Sequence, residues 1–166
     1  MYTARNLKIV LIDDDPQMSE MLRDFFDNKF PSSILTSFTT GESALAELFD
    51  VPDFIILDYY LDSKNPLAMN GLQILKKLNE RFTNVPIVFL SGQEKAEVAA
   101  NTMKYGAYDY VVKNENAFHR LEILLNNILG QSQLKKNLGT QKFFNILLLI
   151  LVVGMLIGFI IMKIIH

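Results

Sequence analysis

The sequence predicts a doubly wound α/β domain followed by one apolar helix. Over the first 130 residues, short β-type apolar runs alternate with segments of helical period, which is the pattern of a parallel sheet with helices on both faces. A run of 20 residues without a charge, 143–162, comes after them. These observations divide the chain into a globular domain (1–130), a mostly polar linker (131–142) and a predicted transmembrane helix (143–163).

Five strand–helix pairs account for the globular part. The strands are predicted at Lys8–Ile12, Ile34–Phe38, Phe54–Leu57, Ile87–Leu90 and Tyr110–Val112. The helices between them are predicted at Pro16–Lys29, Glu42–Phe49, Leu72–Phe82 and Lys95–Tyr105. The last helix has an apolar face formed by Ala117, Phe118, Leu121, Leu124, Leu125 and Ile128. Gly130, just past that face, predicts its end, with a continuation of the helix into part of the linker as the alternative.

The apolar run 143–162 has the length of a membrane-spanning helix, because 20 residues at about 1.5 Å each extend roughly 30 Å. Three lysines precede the run and one follows it, so the positive-inside tendency predicts a single-pass C-terminal anchor with the globular domain facing the cytoplasm. A buried helix of a larger oligomer is the alternative. The spacing of Gly154 and Gly158 allows two such helices to approach closely, which suggests a homodimer in addition to the lipid bilayer as partners.

The charge distribution argues against a nucleic-acid-binding protein. All 18 acidic residues but only 12 of the 16 basic residues lie before Gly130, which gives the globular part a net charge of −6. The other four basic residues flank the apolar run, where they suit an anionic membrane surface better than nucleic acid. Cysteine is absent, which excludes disulfides and thiolate metal sites.

Polar residues follow four of the predicted strands, at the sheet edge where doubly wound domains bind ligands. They are Asp13, Asp14 and Asp15 after the first strand, Asp58 after the third, Ser91 after the fourth and Lys113 after the fifth. Clustered carboxylates repel one another, and Mg²⁺ is the natural hard cation to join them. A phosphoryl group moving onto Asp58 would need its oxygens neutralised, which the cation, the Lys113 ammonium and the Ser91 hydroxyl can do. Each residue alone has a structural explanation, such as a helix cap or a turn, but their joint placement favours phosphoryl transfer.

These landmarks resemble the response-regulator receiver domains of two-component signalling, over residues 7 to about 129. The resemblance is carried by residues 11–16 (LIDDDP), 55–58 (IILD), 70–72 (NGL), 89–92 (FLSG) and 106–113 (GAYDYVVK). It implies a flavodoxin-like sheet with strand order 2-1-3-4-5. It also implies a signalling switch that a histidine kinase or a phosphotransfer protein phosphorylates on Asp58 in a phosphorelay. Because 166 residues leave little room for a second catalytic domain, we expect a membrane-anchored single-domain switch.

The same resemblance implies roles for individual residues. It implies a Mg²⁺ site made of Asp13, Asp14, Asp58 and the backbone carbonyl of Tyr60. Ser91 and Lys113 would bind the phosphoryl oxygens, and Tyr110 would be the aromatic switch that turns inward when Ser91 moves. The chain would then not be an enzyme, beyond catalysing its own phosphoryl transfer and dephosphorylation.

Three features depart from the family's pattern. The loop after Asp58 is several residues longer than is usual, and Asp62 within it is a further candidate metal ligand. Asn114 stands where the family usually has a proline, often in a cis bond that other residues strongly resist. Tyr60 and Gln93 occupy positions that tune access of the hydrolytic water in the family, and the bulk of Tyr60 predicts a long-lived phosphoryl state.

Two other functions compete with this interpretation. The first is a membrane-tethered scaffold of receiver fold that binds partners irrespective of phosphorylation, for which unaltered activity in an Asp58→Ala strain would be evidence. The second is a small Mg²⁺-dependent phosphatase that works through an aspartyl phosphate. Such an enzyme would need a second acid two residues after its nucleophile, where this chain has Tyr60.

Overall fold

A computed structural model describes residues 6–61, 67–92 and 95–165, and after residue 131 it describes only some of the side chains. The described residues form ten secondary-structure elements. In chain order they are β1 (Leu7–Ile12), α1 (Pro16–Lys29), β2 (Ser33–Phe38), α2 (Gly41–Glu47), β3 (Phe54–Asp58), α3 (Gly71–Arg81), β4 (Ile87–Ser91), α4 (Ala96–Lys104), β5 (Asp109–Val112) and α5 (Ala117–Ile165). The predicted strands and the first four predicted helices are all confirmed, with bounds that differ by at most two residues.

The five strands form one parallel sheet in the order β2-β1-β3-β4-β5, which confirms the predicted topology. The order changes direction between β1 and β3, so this is the switch point where such folds bind ligands. The pairing register aligns the carboxyl ends of the strands, since Ile12 pairs with Leu57, Asp58 with Leu90, and Ser91 with Val112. The residues that end these strands therefore meet at one edge.

The two central strands β3 and β4 are buried along their whole length. This agrees with their near-continuous apolar sequences, because strands covered by helices on both faces do not alternate apolar and polar residues. Helix α3 packs Ile74, Leu75 and Leu78 into the core, and α1 packs Leu22 and Phe26. The sheet is thus a rigid base for side chains at its edge.

Side chains at the helix starts determine where α1 and α3 begin. The Asp15 carboxylate accepts a hydrogen bond from the Gln17 N–H, and Pro16 fills the first helical position. Asn70 and Gln73 form a reciprocal capping box, each side chain accepting the other's backbone N–H. Both helices therefore start directly behind the edge where β1 and β3 end.

Helix α5 differs from the sequence prediction, because it continues through Gly130 and through the predicted linker 131–142. A glycine inside a helix costs only about 1 kcal/mol relative to alanine, and no proline follows to force a break. Residues 1–125 and 126–166 form two compact units. The division into a domain (1–130), a linker (131–142) and a terminal helix (143–163) stays a prediction.

The membrane-anchored location predicted for this chain is wrong. A spanning helix needs about 20 consecutive apolar residues, and within the residues described here no helix is both long and apolar enough to cross a membrane. The transmembrane helix predicted at 143–163 and the bilayer as a partner therefore find no support. The homodimer predicted through Gly154 and Gly158 has no support either, and the surroundings of Gly158 lie outside the described part of the chain.

The buried centre of the sheet should dominate the stability of residues 1–125. We expect Ile56→Ala in β3 to lower the free energy of unfolding by about 2–5 kcal/mol, because Ile56 is fully buried and its removal leaves a cavity. Ile34→Ala, on the half-exposed face of edge strand β2, is the matched control and should cost far less. Urea unfolding of the full-length chain measures both, and equal losses would contradict this account of the core.

Candidate functional site

Three polar side chains are buried where β1, β3 and β4 end. Asp13, Asp58 and Ser91 have exposed fractions of 1, 6 and 0 %. They meet because the sheet register brings the carboxyl ends of their strands together. Buried carboxylates are costly unless they are paired or bind a cation, so this group needs positive charge nearby.

Lys113 supplies one positive charge to this group. Its Nζ lies 2.8 Å from Asp13 Oδ2 and 3.1 Å from Asp58 Oδ2, so one ammonium bridges both buried carboxylates. Its backbone N–H donates to the Ser91 carbonyl over 2.8 Å, which extends the pairing of β5 with β4 by one residue. The structure thus brings Asp13, Asp58, Ser91 and Lys113 together, as the sequence predicts.

Asn114, which replaces the family's usual proline, does not displace Lys113 from the pocket. The Asn114 N–H donates to the Val112 carbonyl over 2.9 Å, and its Oδ1 accepts from the Asn116 N–H over 3.0 Å. These bonds form a turn that leads into α5, and the described residues contain no cis peptide bond. A side-chain turn thus holds the end of β5 here in place of a proline.

A third carboxylate joins the two buried ones. Asp13, Asp14 and Asp58 each offer an oxygen atom, and these atoms lie within 4.8 Å of one another. Three carboxylate oxygens are a donor set that suits a hard divalent cation such as Mg²⁺. The backbone of Tyr60 lies beside them, since its N–H donates to the Asp58 carboxylate, but its carbonyl as a ligand stays a prediction. Asp62 and Gln93 lie outside the described residues.

The electrostatics of the pocket leave it short of positive charge. Burial raises the pKa of the Asp13 and Asp58 carboxyl groups above their usual value, even though Lys113 acts in the opposite direction on both. Burial alone would lower the pKa of Lys113, but its hydrogen bond to Asp13 and the two nearby carboxylates raise it instead. One ammonium therefore does not fully compensate the carboxylates, and a divalent cation would fit this deficit.

Tyr110 lies against the pocket with its ring turned inward. Its ring stacks on Phe89 with 6.5 Å between centroids, and its side chain is hydrogen-bonded to that of Ser91. Burial raises the pKa of its phenol. Tyr59 also contacts Phe89, at 6.1 Å, and Tyr60 packs edge-on against Tyr59 at 4.9 Å. The predicted switch pair is therefore in direct contact, within a layer of aromatic rings that borders Asp58.

Two residues that position the pocket were not predicted from the sequence. Gly71 enters the sequence prediction only as part of the motif at residues 70–72, yet a Cβ there would lie 2.7 Å from the Asp58 carbonyl and 2.9 Å from the Tyr59 carbonyl. Only glycine allows α3 to approach strand β3 so closely. Glu42 in α2 accepts the Met69 N–H over 2.7 Å and so fixes the end of the long loop after β3. The Asn-Gly pair was a signal for the first; no sequence signal indicates the second.

The raised pKa of Asp58 predicts how stability depends on pH. A carboxyl group whose pKa is raised by folding destabilises the folded state progressively as the pH rises from 3.8 through the folded-state pKa. In Mg²⁺-free buffer at pH 7, Asp58→Asn should therefore unfold at higher urea concentration than the wild type. The difference should shrink as the pH falls toward 3.8, and adding Mg²⁺ should narrow it at pH 7.

Asp50→Asn is the control for this measurement. Asp50 is exposed and its pKa is lowered by its hydrogen bond to Lys8, so it stabilises the fold above its unfolded-state pKa. Its substitution should therefore not stabilise the protein at any pH. If Asp58→Asn were less stable than the wild type at pH 7 without Mg²⁺, the electrostatic description of the pocket would be wrong.

Comparisons with known proteins agree with this fold and this pocket. Residues 9–125 match the response regulator receiver domain. The chain is 28% identical over 120 residues to the probable C4-dicarboxylate response regulator DctR of Halalkalibacterium halodurans, covering 72% of this chain and 50% of that protein. It is also 28% identical over 135 residues to the nitrogen assimilation regulatory protein NtrX of Azorhizobium caulinodans. That match covers 81% of this chain and 28% of that protein. The chain thus spans half or less of the length of these two relatives.

Solved structures share the fold. The receiver domain of the Francisella response regulator 1452 superposes with a TM-score of 0.65 at 23% identity, and the BeF3-activated DrrB receiver domain with 0.66 at 21%. Each comparison covers 76% of this chain and 99% of the other, and at such identities it shows the fold alone. The family match over residues 9–125 goes further, because it covers more than half of the chain. This chain belongs to the response regulator receiver domains.

Proposed function

We propose that this chain is a phosphoaccepting signalling switch that a histidine kinase or a phosphotransfer protein phosphorylates on Asp58. The observation that carries the proposal is the position of the Lys113 ammonium, which contacts both Asp58 and Asp13 within a cluster of three carboxylates. A structural ion pair would need one carboxylate and one cation. A cluster of three carboxylates, two of which share one ammonium, instead suits a divalent cation and a phosphoryl group.

The acidic residues of receiver domains bind Mg²⁺, and the residues of this chain that would hold it are Asp13, Asp14, Asp58 and the Tyr60 carbonyl. When bound, Mg²⁺ supplies positive charge to the oxygens of a phosphoryl group. A bond then forms between an Asp58 carboxylate oxygen and phosphorus, while the bond between phosphorus and the donor nitrogen breaks and leaves its electron pair on nitrogen. Asp58 needs no general base, because its carboxylate is already the nucleophile.

Lys113 and Ser91 bind the transferred group in this proposal. The Lys113 ammonium is 3.1 Å from Asp58 Oδ2, so it lies within reach of an oxygen on phosphorus attached to Asp58. Ser91 is fully buried beside the pocket and offers a hydroxyl. Both groups stabilise negative charge on the phosphoryl oxygens, which is the main requirement of phosphoryl transfer.

The output of the switch runs through Ser91 and Tyr110. A phosphoryl group that binds the Ser91 hydroxyl competes with the hydrogen bond between Ser91 and Tyr110, and so shifts an equilibrium that already exists. The face that changes comprises α4, β5 and the first turns of α5. A partner that binds this face would read the signal, and the chain acts on no substrate other than its own phosphoryl group.

Phosphorylation should depend on Asp58 and on Mg²⁺. We expect the full-length chain to be labelled by acetyl phosphate in the presence of Mg²⁺, and phosphate-affinity electrophoresis to show a shifted band. The band should disappear in Asp58→Asn and after chelation of Mg²⁺, because the nucleophile or the cation is then missing. The exposed carboxylate of Asp50 provides the matched control, Asp50→Asn, which should be labelled like the wild type.

Two outcomes would contradict the proposal. Label that persists in Asp58→Asn would place the phosphoryl group on another residue. Absence of label in a folded wild-type protein that binds Mg²⁺ would favour the alternative, a receiver-fold scaffold that binds partners irrespective of phosphorylation.

The phosphoryl group should be long-lived because Tyr60 restricts the approach of water. Tyr60 is half-exposed and its ring packs against Tyr59 beside the phosphoacceptor. We expect Tyr60→Asn to lose its label roughly ten-fold faster than the wild type, equivalent to about 1.4 kcal/mol of activation free energy. Tyr60→Phe keeps the ring and should lose the label at the wild-type rate. If all three proteins lost it equally fast, Tyr60 would not control hydrolysis.

A further inference from the structure

The Asp109 carboxylate, at the start of β5, makes two contacts that none of the roles above uses. Its Oδ1 accepts the backbone N–H of Tyr110 over 2.7 Å. Its Oδ2 accepts from the Arg120 guanidinium over 3.0 Å, and the same guanidinium nitrogen is 3.3 Å from Oδ1. One carboxylate therefore joins the backbone of the predicted switch residue to a side chain on α5.

These contacts hold the backbone of Tyr110 from the side of α5. The register of β5 against β4 sets Asp109 opposite Val88 and Tyr110 opposite Phe89. The Asp109 side chain is largely buried, with 23 % exposed, so its orientation is fixed more firmly than that of a surface aspartate. Rotation of the Tyr110 peptide would break a charge-assisted hydrogen bond, which is stronger than a neutral one.

The ring of Tyr110 is held separately from the side of the phosphoacceptor pocket. Its side chain is hydrogen-bonded to that of Ser91, and its ring stacks on Phe89. Tyr110 thus has its ring fixed by the pocket and its backbone fixed by α5 through Asp109. A change at the pocket would therefore affect the contact with Asp109, and a change at Asp109 would affect the contacts of the ring, because both sets of contacts are made by Tyr110.

We propose that Asp109 and Arg120 are positioning residues that favour the inward orientation of Tyr110 and so couple the phosphoacceptor pocket to α5. The inference rests on the proposed function for the role of Tyr110 as a switch. Two residues carry the coupling. The Asp109 carboxylate accepts the Tyr110 N–H, and the Arg120 guanidinium on α5 holds this carboxylate in place.

A second ion pair on α5 provides a matched control. Lys29 of α1 contacts Glu122 of α5 at 3.3 Å, two residues beyond Arg120. The two pairs are similarly exposed, with side-chain fractions of 52 and 28 % for Lys29 and Glu122 against 57 and 23 % for Arg120 and Asp109. They should therefore contribute similarly to stability. Only the pair that contains Asp109 touches Tyr110.

The first measurement follows the Tyr110 ring by NMR in the full-length chain with labelled tyrosine, its resonance assigned through Tyr110→Phe. We expect Arg120→Gln to move the Tyr110 resonance and Glu122→Gln to leave it in place. Asp109→Asn should move it in the same direction as Arg120→Gln, and the double variant should add little, because both changes break one ion pair. Equal effects of Arg120→Gln and Glu122→Gln on this resonance would overturn the proposal.

The second measurement is the rate of labelling by acetyl phosphate with Mg²⁺. We expect Arg120→Gln to raise the rate roughly two- to five-fold, the factor that an exposed ion pair supports, because a Tyr110 ring that is held less firmly competes less with the phosphoryl group for the Ser91 hydroxyl. Glu122→Gln should retain the wild-type rate. A rate changed equally in both variants, or a rate lowered by Arg120→Gln, would overturn the proposal. If the wild type took no label at all, the proposed function would fail, while the Tyr110 resonance would still decide the positioning role.

Discussion

The structure depends on the bridge that Lys113 makes between the carboxylates of Asp13 and Asp58. Two ionised carboxylates that are almost completely buried repel each other strongly, and positive charge between them lets both stay ionised. The bridge requires three strands, β1, β3 and β5, to end at the same height, since each contributes one of its groups. Replacing a buried group of ions such as Asp13, Asp58 and Lys113 by apolar residues of similar volume is often neutral or even stabilising. The presence of these three residues is therefore best explained by chemistry at this edge.

The rest of the fold keeps these strand ends in place. Strands β3 and β4, which end in Asp58 and Ser91, are buried along their whole length. The backbones of Asp58 and Ser91 therefore cannot move independently of the sheet. Gly71 lets the start of α3 contact the Asp58 carbonyl, and the capping box of Asn70 fixes that start in turn. Glu42 secures the loop that leads into it. The Asp58 carboxylate is therefore positioned by close packing on one side and by Lys113 on the other, as preorganised sites require.

The pocket was predictable from sequence because parallel strands bring their carboxyl ends together, so polar residues after buried runs had to meet. The contacts of Asp109 with Arg120 and of Glu42 with Met69 were not predictable. They join different elements, and the periodicity of apolar residues gives no information about which polar side chains meet between elements. The end of the last helix was misplaced because Gly130 costs a long helix little. The prediction of a membrane span at residues 143–162 rests on length and apolar composition, and the described residues do not bear it out.

The contacts of Tyr110 also limit how the proposed switch could work. Its hydrogen bond to Ser91, its stacking on Phe89 and its backbone bond to Asp109 each contribute on the order of 1 kcal/mol. None of them alone locks the ring, because 1 kcal/mol changes a population ratio only about five-fold. A decisive change needs a ligand that binds one arrangement much more tightly than the other. A phosphoryl group on Asp58 can do this only through the groups it touches, and Ser91 is the one among them that is bonded to Tyr110.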